Sequence, residues 1–374
     1  MNFRAIILKS LAFVLLAAAI VAAMIRFGLI DVTSLILAFD HGKPWLALAF
    51  SLGLLSALIN LWRYMRILRL MAVDIPFRGA AAATSVSLFV GQWLPGSMAV
   101  SEMVRLGLMM GAGKIHSNTG STAPSPEKPL VTSIKARIFV ASFLDRACGL
   151  ILFLTIGTVA CALSLVTASQ ASSLAAHEFT ILGLLMCFGV VGAVTLLTLP
   201  WLAKHPAVLR TLETQAARWQ QHAGKLGPPL AKIIKTVHKI TGPMADESFT
   251  YGGFYSALAI SSMSSILFLG AFYSCSMAVG FDMTFLQIAS VFPFLAIAQL
   301  LPIGFAGIGG HQLVAVALFQ AFSLEASGVA TVSLVQGLVS LILNTVVGVF
   351  FFQTSAHQVK AILQRPEATA AALD

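Results

Sequence analysis

The sequence predicts an all-α polytopic membrane protein, with about six full spans and two re-entrant helical hairpins arranged as an inverted repeat. Three observations point there. The 374 residues are 58% hydrophobic and 10% charged, with a mean hydropathy of +0.91, far from the profile of a soluble domain. Several apolar runs reach the roughly 18 residues that read as a membrane-crossing helix. The lysines and arginines, finally, gather on one side of the layout that those runs imply. The net charge of +9 therefore reads as positive-inside bias and not as a nucleic-acid surface.

The N-terminus, MNFRAIILKSLAFVLLAAAIVAAMIRFG, pairs a short basic region with a long apolar stretch. That stretch exceeds the core of a cleavable signal, so it reads as an uncleaved first span. Further spans fall at 44–62, 138–163, 179–202, 251–280 and 328–352. The apolar segments 80–110 and 284–322 differ, because each is interrupted near its centre. The first break is QWLPGS, with Pro95 and Gly96; the second, AQLLPIGFAGIGGHQ, carries Pro302, Gly304, Gly307, Gly309 and Gly310. Broken helix at membrane depth is tolerated only where protein or a watery cavity takes up the freed backbone groups. Glycines also permit close helix packing, and for them singly that reading stays open. Two broken hairpins meeting from opposite faces are better explained by a substrate cavity.

If both interrupted segments enter and leave on one side, the charges sort cleanly. Of the 23 lysines and arginines, all but Arg26 and Lys43 fall on the cytoplasmic side, including Arg63, Arg66 and Arg69 in a 63–78 connection. A simple crossing at 80–110 would instead put the basic 203–250 loop outside, which the positive-inside rule disfavours. The hairpin layout makes the chain one transmembrane domain, 1–374, with both termini cytoplasmic. Its first repeat is 44–163 and its second 251–352, entered from the opposite face. The hairpin tips share letters, QWLPGS at Gln92 and QLLPIG at Gln299. Opposed triplets of this kind are the usual architecture of secondary transporters.

Two cytoplasmic loops complete the layout. Residues 111–137 contain a Ser/Thr/Pro/Gly-rich run expected to be mobile. In 229–241, Leu230, Ile233, Ile234, Val237 and Ile240 recur at helical spacing between Lys232, Lys235 and Lys239. That pattern suits a basic helix lying on an anionic membrane surface. Cys148, Cys161, Cys187 and Cys275 sit in apolar runs and read as small buried hydrophobes. No metal-ligand spacing and no cofactor motif stands out, and GFAGIGG follows no strand, so it is not taken for a phosphate loop.

Charges inside the apolar runs carry the most information, since each costs roughly 2.5–3.5 kcal/mol at mid-helix. Glu102 and Arg105 in SEMVRLGLMM share a helical face. Asp145 and Arg146 lie one to two turns inside the next span. Arg105 with Asp145, and Glu102 with Arg146, are the expected cross-helix pairs. They could simply lock two helices, or leave an arginine to meet an anionic headgroup, whose phosphate oxygens fit a guanidinium fork.

At these residues the sequence resembles the transmembrane region of lysylphosphatidylglycerol synthase and its stand-alone, flippase-like relatives. The resemblance rests on LPGSMAVSEMVR (Leu94 to Arg105), DRACGL (Asp145 to Leu150) and PIGFAGIGGHQ, and covers about 45 to 352. There are departures. Ala99, Val100 and Ser101 stand where glycines are expected, and His311-Gln312 replaces a frequent Arg-Glu pair. His311 is thus either a proton-sensitive group or a hydrogen-bonded histidine. The chain ends at Asp374 after a short tail, so the synthases' aminoacyltransferase domain is expected to be absent.

The resemblance implies a lipid translocase of a bacterial inner membrane, moving a phospholipid, polyprenyl-linked or hopanoid-type lipid. Glu102, Arg105, Asp145, Arg146, Gln299, His311 and Gln312 are its candidate headgroup or ion-pair residues. Replacing Arg105 with Ala is expected to stop transport without abolishing folding. Membrane lipids are the expected partners, with a homo-oligomer or lipid-synthesis proteins as further ones, and nucleic acid is not expected. A lipid-modifying transferase and a scaffold for lipid synthesis remain as alternatives. Against the enzyme reading, the chain lacks DxD, HExxH and GxSxG motifs.

Overall fold

The computed structural model describes residues 15, 18–19, 21–93, 97–112, 134–171, 176–205, 210–211, 214, 244, 249–298 and 310–364. Its helices are α1 (Val32–Asp40), α2 (Lys43–Leu70), α3 (Phe77–Gln92), α4 (Ser97–Ala112), α5 (Ile134–Ala171) and α6 (Ala176–Lys204). After the 203–250 segment come α7 (Tyr251–Val279), α8 (Phe285–Ala298), α9 (Gly310–Phe319) and α10 (Ala326–Gln364). The protein is all-α and multi-pass. Among the described residues five stretches are long and apolar enough to cross a membrane: Lys43–Leu70, Ala136–Thr167, Glu178–Thr198, Tyr251–Val279 and Ala326–Phe352. They cover the five internal spans expected from the sequence. Most of the N-terminal span, the 229–241 segment, residues 113–133 and both hairpin tips lie outside the described residues.

One boundary needs correction. The span expected at 44–62 continues as helix to Leu70, so Arg63, Arg66 and Arg69 belong to α2 and not to a connection. A run of apolar residues ends at its first charge only if that charge has no partner inside the bundle. Arg63 is buried and has one. The helix stops where Ala72 turns to φ 52°, and Pro76 then caps α3 with its fixed φ. Cys187 is also corrected: it is exposed, whereas Cys148, Cys161 and Cys275 are buried as expected.

The helix ends follow local chemistry. Thr250 caps α7 by accepting the Gly253 N–H, and Gly280, at φ 72°, closes it in the left-handed conformation that favours glycine. Asp31 caps α1 through the Thr33 N–H, and the Ser34 hydroxyl at 2.5 Å holds its carboxyl below the usual range. The Asp31 N–H in turn donates to Thr331 Oγ1 of α10 at 3.1 Å.

α2 and α7 lie against each other along their whole length and run antiparallel. Gly42, just before α2, meets Ala278, near the end of α7. At the middle Ser56 and Ser264 share a hydrogen bond of 2.9 Å. At the far end the Leu70 side chain covers Gly253. Gly42 is required there, because a Cβ would stand 2.5 Å from Ala38 O and 2.6 Å from Ala278 O.

The remaining helices repeat this logic across the two halves. α5 packs on α8, with Gly157 against Pro293, and Ser164 bonding Ser290 at 3.2 Å. α10 packs on α3, with Gly348 against Phe89, and Gln92 Nε2 donating to Thr345 Oγ1 at 2.9 Å. Exchanging α2–α3–α4–α5 for α7–α8–α9–α10 turns each of these pairings into the other. The short helices obey the same exchange, since α3 packs on α4 and α8 on α9.

Between α2 and α5 the chain leaves and returns to one end of the bundle. Arg137, near the start of α5, donates to Met71 O just past α2, at 3.0 Å. The second half does likewise at the other end, where Phe281, just past α7, covers Gly328 near the start of α10. As far as they are described, the intervening helices have 16, 16, 14 and 10 residues.

Candidate functional site

Several turns inside the bundle, α2, α4 and α5 bring charged side chains together in a run of ion pairs, beside α7. Asp145 of α5 is its centre. Its Oδ1 accepts a hydrogen bond from Nε of Arg63 at 2.9 Å and lies 2.9 Å from Nη2 of the same guanidinium as an ion pair. Its Oδ2 accepts Nη1 of Arg105 at 3.2 Å. Arg105 then grips Glu102, one turn back on α4, with Nε at 3.1 Å and Nη2 at 2.7 Å on Oε2. Glu102 offers its other oxygen, Oε1, to Arg146, whose Nε lies at 2.8 Å and whose Nη2 also donates. The order is Arg63, Asp145, Arg105, Glu102, Arg146.

Polar neighbours hold this run in place. Arg63 Nη1 donates to Ser261 Oγ on α7 at 2.5 Å. Tyr64, the next residue on α2, lies under the Arg105 guanidinium at 4.4 Å and shares a 2.9 Å hydrogen bond with Ser142 of α5. Gly149 sits one turn beyond Asp145 on the same helix face, beside Arg63: a Cβ there would stand 3.5 Å from Nη1, an ordinary van der Waals contact.

Charge and exposure are both asymmetric along the run. Three guanidinium groups face two carboxylates, a formal excess of one positive charge. The side chains of Arg63, Asp145 and Arg105 are 8%, 6% and 3% exposed, against 24% for Glu102 and 40% for Arg146. Arg63 and Arg105 spend Nε, Nη1 and Nη2 on partners within the cluster. Arg146 Nη1 makes no hydrogen bond among the described residues. The uncommitted donor thus lies at the open end of a cluster that carries one positive charge more than its carboxylates offset. Both carboxylates serve as counter-ions to arginines, which suits anion binding better than proton transfer.

Both expected cross-helix pairs, Arg105 with Asp145 and Glu102 with Arg146, are present. Arg63, Tyr64, Ser142 and Ser261 were missed. Arg63 had a visible signal in LINLWRYMRILRL, where arginines three apart with apolar residues between them continue a helical face past the hydropathy minimum. His311 and Gln312 are buried on α9, which packs on α8 and α10. Gly310 opens α9. Gln299, Pro302, Gly304, Gly307, Gly309, Pro95 and Gly96 lie outside the described residues.

No curated protein and no solved structure matches the chain. A match to the family described as "Lysylphosphatidylglycerol synthase TM region" extends over residues 7–348, nearly the full length and across every helix that builds the cluster. The chain belongs to the lysylphosphatidylglycerol synthase transmembrane-region family.

Proposed function

We propose that the protein is a flippase-like translocase that carries a polar or anionic lipid across a bacterial cytoplasmic membrane, with the arginine cluster as its headgroup site. Family membership supports a membrane lipid-related function at the coarser level. The observation that carries the finer reading is the uncommitted Nη1 of the half-exposed Arg146, at the open end of a cluster with one more guanidinium than carboxylate. A charge-assisted donor with spare capacity beside a net positive charge favours an anionic ligand. A lipid phosphate is such a ligand while its acyl chains stay in the bilayer, and the planar fork of Arg146 matches its oxygens.

Sidedness supports the same reading. Arg69 of α2, Arg137 at the start of α5 and Lys204 at the end of α6 share one end of the bundle, as the bonds from Arg137 to Met71 O and from Lys204 to Phe249 O indicate. Positive-inside bias makes that end cytoplasmic. Arg63 lies seven residues before Leu70, so the cluster sits about 10 Å in from that end. An anionic headgroup would reach it from the inner leaflet. The short paired helices α3–α4 and α8–α9, each returning to its own end, support two re-entrant hairpins. The exchange of pairings between halves supports an inverted repeat, the architecture with which a fixed central site is opened alternately to either face.

The decisive variant is Arg146→Gln. Arg105 is the wrong probe, because it bridges both carboxylates from a buried position and its loss would unfold the bundle before reporting on transport. In proteoliposomes, Arg146→Gln should slow the crossing of a fluorescent phosphatidylglycerol about tenfold or more, the worth of one charge-assisted contact, with an unchanged melting temperature. Wild-type transport by a folded Arg146→Gln protein would end the headgroup reading.

A further inference from the structure

The exchange symmetry of the fold assigns every cluster residue a counterpart in the second half. Three anchors set the correspondence: Ser56 with Ser264, which bond each other; Gly157 with Gly348, which sit at matching helix contacts; and Gln92 with Gln299, which begin the paired tip sequences. Counting from these, Ser142 corresponds to Ser333, Tyr64 to Phe272, Asp145 to Gln336 and Arg105 to Gln312. Arg63, Arg146 and Glu102 correspond to Ala271, Gly337 and Gly309. Each charge of the first half meets a neutral residue in the second, while the serine persists and the positions of Asp145 and Arg105 become the amides Gln336 and Gln312.

The structure bears a mark of this relationship. In the first half the Tyr64 hydroxyl satisfies Ser142. Phe272 has no hydroxyl to offer, and Ser333 Oγ is fully buried without a hydrogen-bond partner among the described residues. Phe272 packs in one core with Ala315 and Phe319 of α9 and Val332 and Val335 of α10. Gln312 precedes Ala315 by three residues and so shares that face of α9. Gln312 and Gln336 are themselves buried, and Gln336 Nε2 donates to Ser340 Oγ at 3.1 Å. An orphaned hydroxyl at membrane depth is costly to leave unmet.

We infer that Gln312, Ser333 and Gln336 form a second headgroup station, at the opposite end of the bundle from the arginine cluster, that binds an uncharged hydroxylated group such as the glycerol or sugar end of a lipid. Amide side chains both donate and accept, as a polyol requires, and no local charge competes for a phosphate. The station rests on reading the arginine cluster as a headgroup site. It gives that reading a direction: one leaflet's site holds the phosphate and the other holds only hydroxyls.

The test measures thermal stabilisation of the purified full chain in detergent by two added lipids. Phosphatidic acid carries charge without a polyol; a monoglucosyl diacylglycerol carries hydroxyls without charge. Both should raise the melting temperature of the wild type. Ser333→Ala and Gln336→Leu should weaken the glucolipid response about fivefold, the loss of one hydrogen bond, and leave the phosphatidic acid response intact. Arg146→Gln should do the reverse. Should Gln336→Leu not fold, Ser333→Ala decides alone, since it removes a hydroxyl that nothing in the fold uses. An undiminished glucolipid response in Ser333→Ala overturns the station, as does equal loss of both responses. An undiminished phosphatidic acid response in Arg146→Gln overturns the arginine reading instead, so the two failures are told apart.

Discussion

Arg63 and Asp145 face each other across α2 and α5, with Nε donating to one carboxylate oxygen at 2.9 Å and Nη2 of the same guanidinium in ion-pair contact with it at 2.9 Å. The same carboxylate neutralises Arg105 through its other oxygen. One acidic side chain thus answers for two buried arginines, and its removal cannot be absorbed by either.

Asp145→Asn should therefore destabilise the protein by about 3–5 kcal/mol, the range for breaking a buried pair from one side. Glu102→Gln should lose less, because Glu102 is partly exposed, its partner Arg146 is more so, and its buried partner Arg105 keeps Asp145. Thermal unfolding of the two variants in one detergent gives the order directly. Equal melting temperatures would show that the exposure gradient does not govern the energetics.

Tyr64 makes two separable contacts. Tyr64→Phe removes only the hydroxyl bond to Ser142 and should cost about 1 kcal/mol. Tyr64→Leu also removes the ring beneath Arg105 and should cost up to about 2 kcal/mol more for a desolvated cation–π contact. If the Phe and Leu variants melt together, the ring contributes nothing beyond its volume.

Close helix approach is localised at a few glycines. Gly348→Ala would place its Cβ 2.2 Å from Phe89 Cβ, and Gly42→Ala would drive one into two backbone oxygens. Each should cost about 1–3 kcal/mol as overpacking. Gly252→Ala, where nothing lies within 4 Å, is the control and should be neutral or slightly stabilising. Chemical denaturation of the three purified variants checks the contrast.

The correspondence between halves predicts that a charge pair can be transplanted. Gln312→Arg or Gln336→Asp alone should lower the yield of folded protein, since each buries an unpaired charge. Together they should recover much of the loss, with a coupling of about 0.5–3 kcal/mol, as expected of residues in contact. Additive losses would show that the two positions do not mirror Arg105 and Asp145.

The five internal spans were legible because each carries an unbroken apolar run, and the two ion pairs because Glu102, Arg105, Asp145 and Arg146 are too expensive to bury singly. The helical spacing of Arg63 was visible, but its partner was not. Hydropathy sees its charge but not Asp145, which arrives 82 residues later. Tyr64 and Ser261 were hidden for a related reason: a tyrosine or serine in an apolar helix is ordinary until a guanidinium is found beside it. The correspondence of Ser142 with Ser333 was equally out of reach, since it depends on knowing that Gly157 and Gly348 occupy matching contacts.

The antiparallel seam between α2 and α7 has a consequence for biosynthesis. Ser56 waits for Ser264, 208 residues downstream, and α3 and α5 wait likewise for α10 and α8. At ~5–20 residues per second the first half resides in the bilayer for roughly 10 to 40 s with its inward faces unmatched. A ribosome stalled after α6 would leave behind a set of inserted but unassembled segments, ready prey for membrane proteases, and quality control should therefore act before the last helix emerges.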